Sequence, residues 1–283
     1  MTYETLKIPV SPDVTLYARL YRGGKRTPAI CIPGLTRNAK DFIDSAPIIT
    51  ATGRDVIVVN LRGRGASDND PDYLNYHPNT YRDDILKVLD HAGINEAVFV
   101  GTSLGGITTM LVNEVAPNRV KAAILNDIGP ELAPEGIARI ADYVGGATNV
   151  VDTIEIAVER IRTVNGVAFP DASDEEWLKF AKRTFRQEAD GTWILDYDPN
   201  IARALMELGP APDLWPAFES LRSTPTLVVH GAFSDLLTTP IIEKMRARHP
   251  DFEYVAVPRI GHAPMLTEPA ARRAVEAFLA VID

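Results

Sequence analysis

A chain of 283 residues, 46% of them apolar, can bury a substantial core, and its charged fraction is that of an ordinary water-soluble globular protein. The 38 acidic against 29 basic residues leave a formal net charge of −9, and no basic run overrides it, which argues against nucleic acid or an anionic membrane as partner. No apolar run approaches membrane-spanning length, no leader pattern opens the chain, and the single cysteine, Cys31, cannot form an intrachain disulfide, so a cytoplasmic protein handling a small molecule is expected.

The opening runs, Thr5 to Val10 and Val14 to Arg22, alternate polar and apolar residues and predict an antiparallel edge pair. Interior strands follow at Ala29 to Ile32, Val56 to Asn60, Ala97 to Val100, Ala122 to Asn126, Thr226 to Val229 and Glu253 to Val257. Most are nearly continuous apolar runs, as strands buried on both faces should be. Helices are expected at Lys40 to Thr52, Tyr81 to His91, Leu104 to Val115, Pro240 to Arg248 and Pro269 to Val281. Thr80 with Asp83 reads as a start signal for the second, Gly93 as its stop, and Pro250 as a stop for the fourth. The fold class implied is α/β: a mostly parallel eight-stranded sheet with helices on both faces.

The stretch from Gly129 to Trp215 is far longer than a simple crossover needs. It reads as a helical cap inserted after the sixth strand, so the chain divides into core residues 1–128, a cap at 129–215 and core residues 216–283. Helices are expected at Pro134 to Val144, at Asp152 to Arg162, after the capping box Ser173 to Glu176, and at Ile201 to Leu208 behind Asp198-Pro199. Asp190-Gly191 marks a tight turn. Trp177, Trp193 and Trp215 suggest an aromatic lid that could exclude water, or equally the cap's own small core.

Gly101-Thr102-Ser103-Leu104-Gly105 joins an expected strand to an expected helix. A serine on such a turn projects its hydroxyl above the sheet while the glycines let the backbone crowd around it. Its proton needs a base, and a base needs an orienting carboxylate. His77, His91, His230 and His249 have structural explanations at helix ends or a strand end. His262, in Ile260-Gly261-His262-Ala263-Pro264 after the last strand, is the candidate base. Two carboxylates remain open as its partner: Asp235, past the next-to-last strand, and Asp127, at the end of the strand after the serine turn.

These residues identify a resemblance to capped members of the α/β-hydrolase superfamily, running from about Tyr3 to Ile282. The resemblance implies that the acid follows the next-to-last strand, favouring Asp235, with Asp127 in a minority position. It also implies an oxyanion hole built from the backbone N–H groups of Leu104 and Leu35, the latter in Pro33-Gly34-Leu35-Thr36, where many relatives carry His-Gly. Asn60-Leu61-Arg62-Gly63-Arg64-Gly65-Ala66-Ser67 resembles the superfamily's Arg-Gly-x-Gly-x-Ser loop, a turn beside the site.

A serine nucleophile implies acyl transfer through an acyl-enzyme, on small to medium carboxylic esters or lactones. Alternatives on the same fold are a carbon-carbon hydrolase of the meta-cleavage type, with Arg183 or Arg186 holding a carboxylate, a cofactor-free perhydrolase, or a small-ligand receptor. No metal or cofactor is expected, since no His-Glu-x-x-His, cysteine pair, calcium loop or phosphate loop occurs. The oligomeric state is left open.

Overall fold

The computed structural model describes residues 1–146, 150–207, 209 and 212–283. In chain order the elements are β1 (Glu4–Ser11), β2 (Val14–Tyr21), β3 (Arg26–Ile32), α1 (Ser45–Thr50), β4 (Arg54–Val59), α2 (Pro78–His91), β5 (Ala97–Thr102), α3 (Leu104–Val115) and β6 (Val120–Asn126). There follow α4 (Pro134–Gly146), β7 (Val150–Val151), α5 (Ile154–Asn165), α6 (Asp174–Thr184), β8 (Phe185–Gln187), β9 (Trp193–Leu195) and α7 (Asn200–Glu207). The chain closes with α8 (Trp215–Glu219), β10 (Thr226–Gly231), α9 (Thr239–Arg248), β11 (Glu253–Val257) and α10 (Pro269–Val281).

Eight strands form one sheet in the order β1-β2-β4-β3-β5-β6-β10-β11. From β4 to β11 every pairing is parallel, while β2 runs antiparallel to both neighbours. Side chains alternate between the two faces, as the period of a strand requires. Ile30, Ile57, Phe99 and Val228 join a core under α2, α3, α8 and α9. Cys31, Val58, Val98 and Leu227 join a second core under α1 and α10. Burial there pushes the Cys31 thiol up, so it packs as a small apolar group.

Two helix starts differ from expectation. Lys40 to Thr52 is broken into a 3-10 turn at Ala39–Phe42 and then α1. A continuous helix would need Pro47 to donate an N–H to the carbonyl of Ile43, and proline has none. The second helix begins at Pro78, and its cap is His77, whose Nδ1 accepts the Asn79 N–H at 3.1 Å. Proline at the first helical position lets the helix start before Thr80.

The segment between β6 and β10 carries α4 to α7 and also a three-stranded antiparallel sheet ordered β7-β9-β8. These strands of two or three residues are too short for alternation to be read in the sequence. Their hairpin turns at Asp190-Gly191, with Gly191 at φ +91°. The capping box forms as expected, Ser173 Oγ accepting the Glu176 N–H while the Glu176 carboxylate accepts the Ser173 N–H. Asp198 accepts the Asn200 N–H at the start of α7. Leu208, the expected end of that helix, lies outside the described residues. Among the described residues no helix is long and apolar enough to cross a membrane.

Candidate active site

Ser103 sits between β5 and α3 at φ +52° and ψ −115°, a backbone conformation that costs energy for a residue with a side chain. The surroundings enforce it. A Cβ on Gly101 would lie 2.3 Å from the Gly105 carbonyl oxygen, and one on Gly105 would lie 2.0 Å from that of Ile32. Glycine at both positions lets the start of α3 press against β3 and β5, which lifts Ser103 above the carboxyl edge of the sheet.

Ser103 Oγ and His262 Nε2 are 2.9 Å apart, and His262 Nδ1 is 2.8 Å from Asp127 Oδ2. An ionised carboxylate can only accept, so Nδ1 carries the proton and Nε2 is left to accept from the serine hydroxyl. Asp127 is fully buried, and its other oxygen accepts the Gly231 N–H at 2.8 Å. Its backbone, at φ +54°, donates to the carbonyl of Val229. Asn126 Nδ2 reaches Thr102 Oγ1 at 3.0 Å and the Pro264 carbonyl at 2.7 Å, tying the loop that carries His262 to the serine turn.

The preference for Asp235 as the partner of His262 is corrected here. Asp235 is turned toward the cap, where Arg139 on α4 grips its carboxylate through Nε at 2.5 Å and Nη2 at 2.8 Å. The Arg139 guanidinium beside it holds the Asp235 carboxyl below its usual range. The alternative, Asp127, is the carboxylate that meets the imidazole. Its sequence context carried a signal: it stands between Leu125-Asn126 and Ile128 in a buried strand end, where a charge persists only if paired. Asp235, in Ser234-Asp235-Leu236-Leu237, had a less buried setting.

The remaining histidines are elsewhere. His230 is buried at the end of β10, its Nδ1 2.8 Å from Tyr254 Oη, and burial lowers its pKa. His249 packs between Phe218 and Phe252, and His91 ends α2. Gly34 and Leu35 stand in the wall beside Ser103, a Cβ on Gly34 falling 3.6 Å from that of Ser103. Leu104 is the first residue of α3.

A cavity of about 460 Å³ opens over Ser103 and His262, roofed by Tyr143, Phe169 and Phe180 of the inserted segment. Trp177 lies behind this roof, stacked on Phe180 and edge-on to Phe169. Trp193 belongs to β9 and Trp215 packs on Phe218, so the phenylalanines, not the tryptophans, face the cavity. Tyr143 Oη and Thr36 Oγ1, 2.6 Å apart, join the roof to the core. Arg183 and Arg186 are outside the cavity lining, paired with Asp44 and Glu188. Among the described residues no cluster of three or more His, Cys, Asp or Glu could hold a metal ion.

The sequence matches the Alpha/beta hydrolase family over residues 29–275. It is 32% identical over 250 residues to a 3-hydroxybutyrate-oligomer hydrolase of Cupriavidus necator, covering 85% of this chain and 84% of the relative. It is 26% identical over 229 residues to a 2-(acetamidomethylene)succinate hydrolase of Mesorhizobium japonicum, covering 81% and 79%. The crystal structure of an alpha/beta hydrolase from Novosphingobium aromaticivorans superposes with a TM-score of 0.91 at 40% identity, over 98% of each chain. With the sheet order, the serine turn and these likenesses in agreement, the chain belongs to the alpha/beta hydrolase family and is a hydrolase.

Proposed function

We propose that the protein hydrolyses small to medium carboxylic esters, lactones included, through an acyl-enzyme on Ser103. The observation that carries this reading is the hydrogen-bonded chain from Ser103 through His262 to buried Asp127, facing a cavity lined by aromatic side chains of the inserted segment. Ser103 Oγ attacks the ester carbonyl while His262 Nε2 takes its proton, and Asp127 stabilises the imidazolium that forms. The oxyanion accepts from the backbone N–H groups of Leu104 and Leu35, each worth about 3 kcal/mol of barrier. Collapse expels the alcohol with the proton from His262. A water, deprotonated by the same nitrogen, then releases the acid. The C. necator relative, named for an oligomer of a hydroxy acid, supports ester over carbon-carbon cleavage.

Hydrolysis of a chain-length series of p-nitrophenyl esters by the wild-type protein and Ser103→Ala tests this. Turnover should fall by at least about 10⁴-fold in the variant, with a wild-type optimum at short to medium acyl length. Unchanged turnover in Ser103→Ala would overturn the assignment.

A further inference from the structure

The cavity over Ser103 has a neighbour. A second cavity of about 430 Å³ is bordered by α6, by Phe169 to Ala172 before it, and by the stretch from Ile260 to Pro269 that carries His262. Three side chains, Phe169, Phe180 and Met265, line both this cavity and the one of about 460 Å³ over Ser103. A side chain with open space on two sides is a partition. These three therefore separate the room above the nucleophile from further room of nearly equal size.

Two of the three are packed in place. Phe180 lies 4.4 Å, centroid to guanidinium, from Arg37 and stacks on the indole of Trp177 at 6.2 Å. Phe169 meets Trp177 and Phe180 edge-on, at 6.2 and 5.8 Å. Moving either ring means unpacking the cluster. Met265 has no ring and an unbranched side chain with three rotatable bonds, so it is the adaptable part of the partition. Its backbone is anchored. The Met265 N–H donates to the Glu268 carboxylate at 2.8 Å, the preceding Pro264 carbonyl accepts from Asn126 Nδ2 at 2.7 Å, and the following Leu266 is buried in the core. Shortening the Met265 side chain thus changes the partition and leaves the loop of His262 its anchors.

The charges that border the second cavity are engaged elsewhere: Asp44 with Arg183, Asp171 with Arg259, Lys179 with Glu175. Glu176 accepts from Ser173 in the capping box, and Glu268 Oε2 is shut off from solvent. Ala172, Ile260 and Pro269, with the partition itself, are the apolar surface left for an uncharged occupant. An alkyl chain suits that surface, and it is the part of an ester that varies in length.

We propose that Met265 is a specificity-determining residue: its side chain closes the cavity over Ser103 against the second cavity and so limits the length of the alkyl arm that an ester substrate can carry. This rests on the ester-hydrolase reading and gives its site a size limit.

The test compares the wild-type protein, Met265→Ala, and Met265→Ala combined with Ala172→Trp, which fills the second cavity with an indole. Two ester series are used, p-nitrophenyl esters of rising acyl length and alkyl acetates of rising alcohol length, so the series that responds names the arm lying against Met265. Each methylene newly buried is worth about fourfold, so in at least one series the kcat/KM ratio of the decyl to the butyl member, or of the decanoyl to the butanoyl, should rise about tenfold or more in Met265→Ala. The double variant should return that ratio to the wild-type value. Each ratio is internal to one protein, so a loss of folded enzyme cancels from it. A ratio unmoved by Met265→Ala in both series, or a gain that survives Ala172→Trp, would overturn the proposal and leave the ester-hydrolase reading intact. Failure of that reading registers separately, as turnover that survives Ser103→Ala or as no turnover of either series by the wild-type protein, and it would remove the proposal with it.

Discussion

Asp127 and Asp235 follow the carboxyl ends of the neighbouring strands β6 and β10, and their surroundings give them different partners. The turn after β6 is enclosed by the core: Asp127 is fully buried, accepts a backbone N–H from Gly231 and faces His262. The turn after β10 borders the inserted segment, where Asp235 is part-exposed and paired with Arg139. A buried carboxylate with one backbone donor and one imidazole has a fixed direction and no competing cation. Beside Arg139, the stronger partner for Asp235 is the guanidinium, whose fork matches both carboxylate oxygens. The position after a strand decides which carboxylates are within reach, and the partner opposite decides which one serves the histidine.

The sharpest way to break this comparison is to neutralise each acid in turn. Asp127→Asn should lower kcat/KM for a p-nitrophenyl ester by about 10⁴-fold, since the imidazole loses its orienting anion, while Asp235→Asn should cost less than about tenfold. The reverse ranking would return the role to Asp235. The next effect tests the rigid side of the comparison. Gly105→Ala drives a Cβ to 2.0 Å from the Ile32 carbonyl oxygen, so α3 and β3 must part; stability to urea should drop by about 3 kcal/mol, with turnover falling alongside.

The smallest effect concerns the Arg139 pair. The Asp235 carboxyl is held below its usual range in the folded protein, so its contribution is complete above the ordinary aspartate pKa of about 4 and is lost as pH falls through the lower folded value. With its side chain 32% exposed, the pair is worth about 1 kcal/mol. Asp235→Asn should therefore lower urea stability by that amount at about pH 7 and by progressively less in acid below about pH 4. A difference that stays constant or grows in acid would remove the ion pair as its source.

Much of the site was legible in the chain. The glycines around Ser103 and the loop of His262 after the last strand mark their residues because strand-turn-helix punctuation is local. The choice between Asp127 and Asp235 was not, because it depends on Arg139, more than ninety residues from Asp235 along the chain. Likewise the short strands β7 to β9 pair with one another within the segment between β6 and β10, and two or three residues carry no readable period. The break before α1 was readable in principle from Pro47, whose missing N–H fixes where that helix can restart.

By itself, then, the sequence carried the alternation of buried strands and amphipathic helices, the long segment between the sixth strand and the next strand of the sheet, and the candidate residues for nucleophile and base. These depend on periodicity, backbone conformation and side-chain chemistry, all carried by neighbours in the chain. The tertiary structure decided which acid meets His262 and which aromatic side chains face the cavity. Each is a pairing between segments far apart in the chain, settled by which groups are brought within hydrogen-bonding or van der Waals distance and by the cost of burying a polar group alone.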